Sequence, residues 1–268
     1  MGDAEYALAD QATLIHRFIL RLGLTNLTIV GNSFGGGVAL LTALSLEDEE
    51  PDRLRALVLI DSVAYPQRLP TFMKLLRTPV LGRLGLALLP SQFLARHVLE
   101  LAYHDDSEIT QATVEAYAEP LKTYDGRHAV LETAKRIIPP DLEELTARYA
   151  TLEVPTLLVW GRQDELVPLW VGRRLHRALP NSRLVVVEDS GHLPHEEKPA
   201  EVAGAMLSFF KQTQEDRSSA AEASLGSSSR APRTRLHDSA AGTSAPDHTS
   251  RRSATRCNRH LAEAALGA

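Results

Sequence analysis

The sequence predicts an α/β fold with a mostly parallel sheet, on three observations. Four short runs, at 27–30, 55–61, 155–161 and 183–188, are nearly continuous in apolar and β-branched residues. That is the pattern of parallel strands buried on both faces, not of alternating half-exposed ones. Helical patterns follow three of them, at 38–46, 168–179 and 199–210, and such alternation builds βαβ units. The interval from Pro66 to Ala150 breaks the rhythm with helical segments and no clear strand.

Residues 1–22 read as an amphipathic helix with Leu8, Ala12, Ile15, Phe18, Ile19 and Leu22 on one face and Gly23 as its stop. The segment lacks the basic start and apolar block of a signal or transit peptide, so the cytoplasm is the expected compartment. Leu27-Thr28-Ile29-Val30 is the first strand. Gly31-Asn32-Ser33-Phe34-Gly35 follows, with Gly36 and Gly37, and a breaker-free helix runs from Val38 to Leu44. A G-x-S-x-G between strand and helix is the setting of a nucleophile elbow. So tight a turn strains the backbone of Ser33 and crowds the positions two residues either side, where Gly31 and Gly35 remove the collision. It lifts the Ser33 hydroxyl above the sheet at the positive end of the helix. A bare G-x-S-x-G arises by chance in roughly one chain of this length in ten. A glycine-rich turn with an ordinary serine is therefore the plain alternative, and partners must decide.

Arg55 to Asp61 is the second strand and completes a first core segment, 1–65. The insertion at 66–150 reads as a helical cap over the strand ends, or as a plain helical subdomain. Phe72, Met73, Leu75, Leu76, Leu86, Leu88 and Leu89 mostly serve its own core. Pro155–Gly161 and Arg183–Glu188 complete the sheet within a second core segment, 151–211. From Gln212 the chain has no Val, Ile, Phe, Tyr, Trp, Met or Lys and is rich in Ser, Ala and Arg. It cannot bury enough apolar surface to order itself, so 212–268 is expected to be disordered apart from a short helix at 261–266. Loss of Lys beside abundant Arg also fits an out-of-frame, GC-rich reading.

Composition excludes several classes. With 29 basic against 34 acidic residues the net charge is −5, without the basic excess of a nucleic-acid binder. No apolar run approaches the ~20 residues of a membrane span. A single cysteine, Cys257, excludes an intrachain disulfide, and no Cys/His spacing suggests a metal site.

A serine hydroxyl needs a base to take its proton and an acid to hold that base. In elbow-bearing sheets the order is Ser, then Asp or Glu, then His, each on a loop after a strand. Asp164 lies in Gly161-Arg162-Gln163-Asp164, just past the third strand, and His192 in Asp189-Ser190-Gly191-His192, just past the fourth. Carboxyl ends of parallel strands are where such sites assemble. Asp61, ending the second strand, is an alternative acid. Glu165 reads as solvated, His195 as a neighbour of the site or a surface residue, and His97, His104, His128 and His176 as structural. Asn32 orients groups of the cap or substrate, or is an ordinary turn residue.

The motifs G-N-S-F-G-G-G at 31–37, R-A-L-V-L-I-D at 55–61, P-T-L-L-V-W-G-R-Q-D at 155–164 and S-G-H-L-P-H-E-E-K-P at 190–199 together resemble the α/β-hydrolase superfamily in its capped branch. The resemblance covers residues 3 to about 210. It implies a partial α/β-hydrolase fold in which Ser33 is the nucleophile, Asp164 the orienting acid, His192 the base and the Phe34 N–H one oxyanion donor. The serine argues against the haloalkane dehalogenase and epoxide hydrolase members, which use aspartate. An Asn before the nucleophile also occurs in hydrolases of meta-cleavage products. Members normally open with several strands and a His-Gly oxyanion turn, and nothing in residues 1–30 resembles that turn. The resemblance thus implies an N-terminally truncated chain whose elbow strand is a sheet edge. It lacks a second oxyanion donor, a loss worth on the order of 10²–10³ in rate. Two readings follow. One is a serine hydrolase of a small, apolar acyl ester or related carbonyl substrate, including C–C cleavage, with no metal or organic cofactor. The other is an inactive remnant serving as a binding module.

Overall fold

The computed structural model describes residues 6–228. Residues 1–5, and the part of the expected tail beyond Ser228 with its 261–266 helix, lie outside them. Of the chain's two units, Met1–Ser224 and Leu225–Ala268, the first carries the fold. Among the described residues its sheet has four parallel strands in the order β1 (Leu27–Asn32), β2 (Leu54–Ile60), β3 (Thr156–Gly161) and β4 (Ser182–Val187). All four expected strands are present, and the elbow strand lies at the edge, with Val30 half-exposed.

Helices cover both faces, and the pleat decides which residues each face receives. Leu57, Leu59, Leu158 and Trp160 point to a core closed by α1 (Leu8–Arg21), α2 (Ser33–Glu49) and α9 (Leu169–Ala178). Ala56, Val58, Ile60, Leu157 and Val159 point the other way, to Val202 and Phe209 of the helix Pro199–Ser228. Helix α2 is buried on nearly every side because α1 packs on it from outside and β1 and β2 from below.

Between β2 and β3 the described residues contain helices only: α3 (Thr71–Leu76), α4 (Pro79–Leu88), α5 (Ser91–Ala102), α6 (Gln111–Ala118), α7 (Tyr124–Lys135) and α8 (Leu142–Ala147), with short 3-10 turns. Ala95, Leu99, Ala102, Ile109, Val114 and Ala118 form a separate core in this insertion, joined by Leu193 from the loop after β4.

Four details differ from expectation. Of the apolar residues at 72–89 expected to serve the insertion's own core only Leu86 is buried, Leu75, Leu88 and Leu89 are exposed, and none of the seven belongs to the core that α5 and α6 form. The buried stripe of α1 is Leu8, Ala12, His16 and Ile19, while Ile15, Phe18 and Leu22 are exposed. The inward row runs along i, i+4, i+8, and His16 occupies a place an apolar count passes over, with its ring 3.6 Å from Glu49. The last helix continues past Phe210 to Ser228, so residues 212–228 prolong it; Thr213 there is buried. Finally, only one of the two elbow glycines relieves a collision. A Cβ on Gly31 would sit 2.3 Å from the Gly35 carbonyl oxygen, whereas one on Gly35 would meet open space. The crowding is against the backbone of 35, not at its outer side.

Candidate active site

Ser33 follows β1 directly and begins α2 with φ of 52°, a left-handed conformation that costs a non-glycine residue energy. Its carbonyl accepts the Val63 N–H at 3.1 Å, tying the elbow to the chain leaving β2. The first N–H groups of α2, that of Phe34 among them, have no acceptor within the helix.

Asp164 lies in the turn after β3 and is buried. Its Oδ1 accepts the Leu166 and Val167 N–H groups at 2.8 and 2.9 Å, and its Oδ2 accepts from His192 Nδ1 at 2.8 Å. A carboxylate only accepts, so His192 donates from Nδ1, and in the neutral ring that leaves Nε2 as the acceptor. The His192 loop is stitched to the acid's loop twice: Gln163 N–H donates to Ser190 O at 2.9 Å, and Ser190 N–H donates to Gln163 Oε1 at 3.1 Å.

Asn32 completes the meeting of the three loops. Its Nδ2 donates to Ile60 O and to His192 O, each at 3.2 Å. The residue before the serine thus holds the main chain of the histidine. Acid and histidine are in direct contact, and the serine is joined to them through its neighbour.

Asp61, the alternative acid, is fully buried one residue past β2. Its Oδ1 accepts the Gly161 N–H at 3.0 Å, while Oδ2 has no partner. One polar atom from each of Asp61, Asp164 and His192 lies within 4.8 Å of the others. A cation would find that spacing suitable, but both Asp164 oxygens already accept N–H groups and His192 Nδ1 is a donor. Burial first, and the adjacent Asp164 charge second, push the Asp61 carboxyl well above the usual carboxylate range.

The remaining candidates lie elsewhere. Glu165 is exposed. His195 is half-buried with Nδ1 unpartnered, and burial lowers its affinity for a proton. His128 stacks on Tyr124, His176 meets Ser182 Oγ at 2.9 Å, and His97 lies near Glu100.

Glu196 and Glu197 were missed. Glu197, 7% exposed, accepts Ser190 Oγ–H at 3.1 Å and Gly191 N–H at 2.8 Å on Oε1, and His104 N–H at 2.8 Å on Oε2. Glu196 accepts the hydroxyls of Tyr103 and Tyr117; burial and this donation raise both phenols. His192 N–H donates to Ala102 O at 2.6 Å, and a Cβ on Gly191 would stand 2.3 Å from that same oxygen. The histidine loop is therefore clamped by the end of α5. Two adjacent acids after a histidine gave no spacing signal of this.

Residues 2–199 match the alpha/beta hydrolase fold family. The chain belongs to that family. It is 28% identical over 210 residues to an uncharacterized hydrolase, YugF, of Bacillus subtilis, covering 77% of this chain and 73% of that one. It is 30% identical over 193 residues to the 2-hydroxy-6-oxononadienedioate/2-hydroxy-6-oxononatrienedioate hydrolase 2 of Pseudomonas putida, covering 68% of this chain and 61% of that one. Among solved structures, an alpha/beta hydrolase fold protein from Burkholderia ambifaria superposes with a TM-score of 0.65 at 24% identity, over 78% of this chain and 75% of the other. A meta-cleavage product hydrolase from Pseudomonas fluorescens IP01 gives 0.62 at 22% identity, over 77% and 72%. These two likenesses establish the fold.

Proposed function

We propose that the protein is a serine hydrolase that cleaves a small, apolar ester or related carbonyl substrate through an acyl-enzyme. Ser33 Oγ attacks the carbonyl carbon and its proton passes to His192 Nε2. The oxyanion takes the Phe34 N–H. Collapse expels the leaving group with the proton held by His192, and a water deprotonated by the same nitrogen releases the acid. Asp164 fixes the tautomer throughout. The observation that carries the reading is the 2.8 Å contact between His192 Nδ1 and Asp164, in a loop bonded to the residue before a left-handed serine.

Helices α3–α8 act as the cap. An apolar cavity of about 60 Å³, lined by Leu41, Val63, Tyr65, Ile137, Leu142 and Tyr149, includes none of Ser33, Asp164 and His192, so it carries no argument about the substrate. Two relatives are named for keto or aldehydo acids with no ester bond to hydrolyse, the Pseudomonas putida enzyme above and a 2-hydroxymuconate semialdehyde hydrolase, which supports a C–C bond as the alternative scissile bond. The test is labelling with a fluorophosphonate beside a short-chain p-nitrophenyl ester assay. Stoichiometric labelling lost in Ser33→Ala is expected. Equal background for both proteins would leave the binding-module reading instead.

A further inference from the structure

Asp61 has a place in the site that neither orienting acid nor bystander describes. In the register of the sheet Asn32 pairs with Ile60, so Ser33 and Asp61 occupy corresponding positions, each one past its strand. Both adopt left-handed φ, 52° and 43°. The turn at Asp61 is fixed by its own N–H, which donates to Val159 O at 3.0 Å, and by Gly161 N–H on its Oδ1 at 3.0 Å. Its other oxygen is buried without a donor.

The two carboxyls are not equivalent. Asp164 accepts three N–H groups, two of the backbone and one of His192, which is an environment for an anion. Asp61 accepts one. The ionisable groups acting on Asp61 are Asp164 and Glu197, both acids, and the ring of His192 lies within the same 4.8 Å cluster. Two anions this close and this dry do not coexist cheaply, so the pair shares one charge. A proton on Asp61 also gives its unpartnered oxygen a hydrogen bond to Asp164.

We propose that Asp61 is a positioning residue: it keeps its proton at neutral pH and donates it in a hydrogen bond to the Asp164 carboxylate, bracing the anion that holds His192. This rests on the hydrolase reading of Ser33, His192 and Asp164 for its kinetic consequence but not for its protonation state. The braced Asp164 is a weaker acceptor toward His192 than a bare carboxylate would be, so Asp61 sets how readily the base takes and releases its proton.

Two measurements test it. Carboxyl carbon NMR of the wild-type protein at pH 7 should show one protonated aspartate, absent in Asp61→Asn. No such signal, or one that persists in the variant, overturns the proposal whether or not the protein hydrolyses anything. In the pH profile of kcat/KM, Asp61→Ala should lose about 10- to 100-fold, the range for a hydrogen bond to a charged group. Its acidic limb should move to higher pH, and Asp61→Asn, which still donates an N–H, should recover most of the loss with the limb in place. An ionised Asp61 predicts the opposite sign. Removing a negative charge near the ring in either variant would move the limb down by about one unit or more, and that result would sink the proposal. Absence of fluorophosphonate labelling in the wild type would instead refute the hydrolase reading, leaving the NMR result to decide Asp61.

Discussion

Replacing Glu197 with alanine removes one acceptor from three donors at once. Ser190 and Gly191 are buried and would be left with an O–H and an N–H facing no partner; His104 is exposed, and its N–H would return to water. An unsatisfied buried donor costs about 1–3 kcal/mol and a lost but rehydrated bond about 0.5–1.5, so Glu197→Ala, with two of the first kind and one of the second, should destabilise by about 2.5–7.5 kcal/mol. Glu197→Gln keeps one acceptor oxygen and should lose about 1–2 kcal/mol. For a protein whose whole stability is about 5–15 kcal/mol, the first change brings unfolding close to ambient conditions. Urea titration gives the free energies, and amide hydrogen exchange gives the location: Gly191 and His192 should lose protection before the strands do. A cost under about 1 kcal/mol in Glu197→Ala, with exchange unchanged at those amides, would refute the clamp.

Other predictions follow from the same geometry. Ser33→Gly should melt higher than Ser33→Ala by the equivalent of about 0.5–1 kcal/mol, because only glycine adopts φ of 52° without strain; equal melting temperatures would remove the claim of a strained elbow. The Asp61 carboxyl is raised in the folded protein, so its contribution to stability is fully present below the unfolded value near pH 4 and is lost as pH climbs toward the folded value. The slope is about 1.4 kcal/mol per pH unit at most. Asparagine has no proton to lose, so the stability of Asp61→Asn relative to wild type should rise between pH 4 and 8, and a flat difference in thermal melts would contradict this. Val30 lies on the edge strand and is half-exposed; Val30→Lys should weaken concentration-dependent association in sedimentation velocity, as charge on an edge blocks strand pairing. Unchanged sedimentation across a concentration series would show that the edge is already protected.

The strands were legible because a parallel strand buried on both faces leaves an unbroken apolar run; that β1 lies at an edge was expected from the family resemblance and not from the runs themselves. The left-handed turn at Ser33 and the meeting of Asp164 with His192 were foreshadowed because each residue closes or follows such a run at a turn. The faces of α1 were not, since His16 takes an inward position that hydrophobic counting gives to Ile15 or Phe18. Nor were the bonds of Asn32, Asp61 and Glu197, whose partners lie far away in the chain or in another segment. A sequence window records what a residue is but not which distant backbone N–H or carbonyl reaches it. Gly35 erred the other way, a motif glycine whose side faces empty space.

The bond from His192 N–H to Ala102 O, with Leu193 seated among Ala95, Leu99 and Val114, bears on how such a protein could be recombined. Substrate range in a capped enzyme invites exchange of the inserted helices between relatives. Here the boundary of the exchangeable part is not where the insertion leaves and rejoins the chain. A donor insertion lacking an equivalent of Ala102 would arrive without the carbonyl that holds the histidine, and one crowding Gly191 would push that loop out of line. Residues 190–197 would have to travel with the helices, as one cassette made of two pieces distant in sequence.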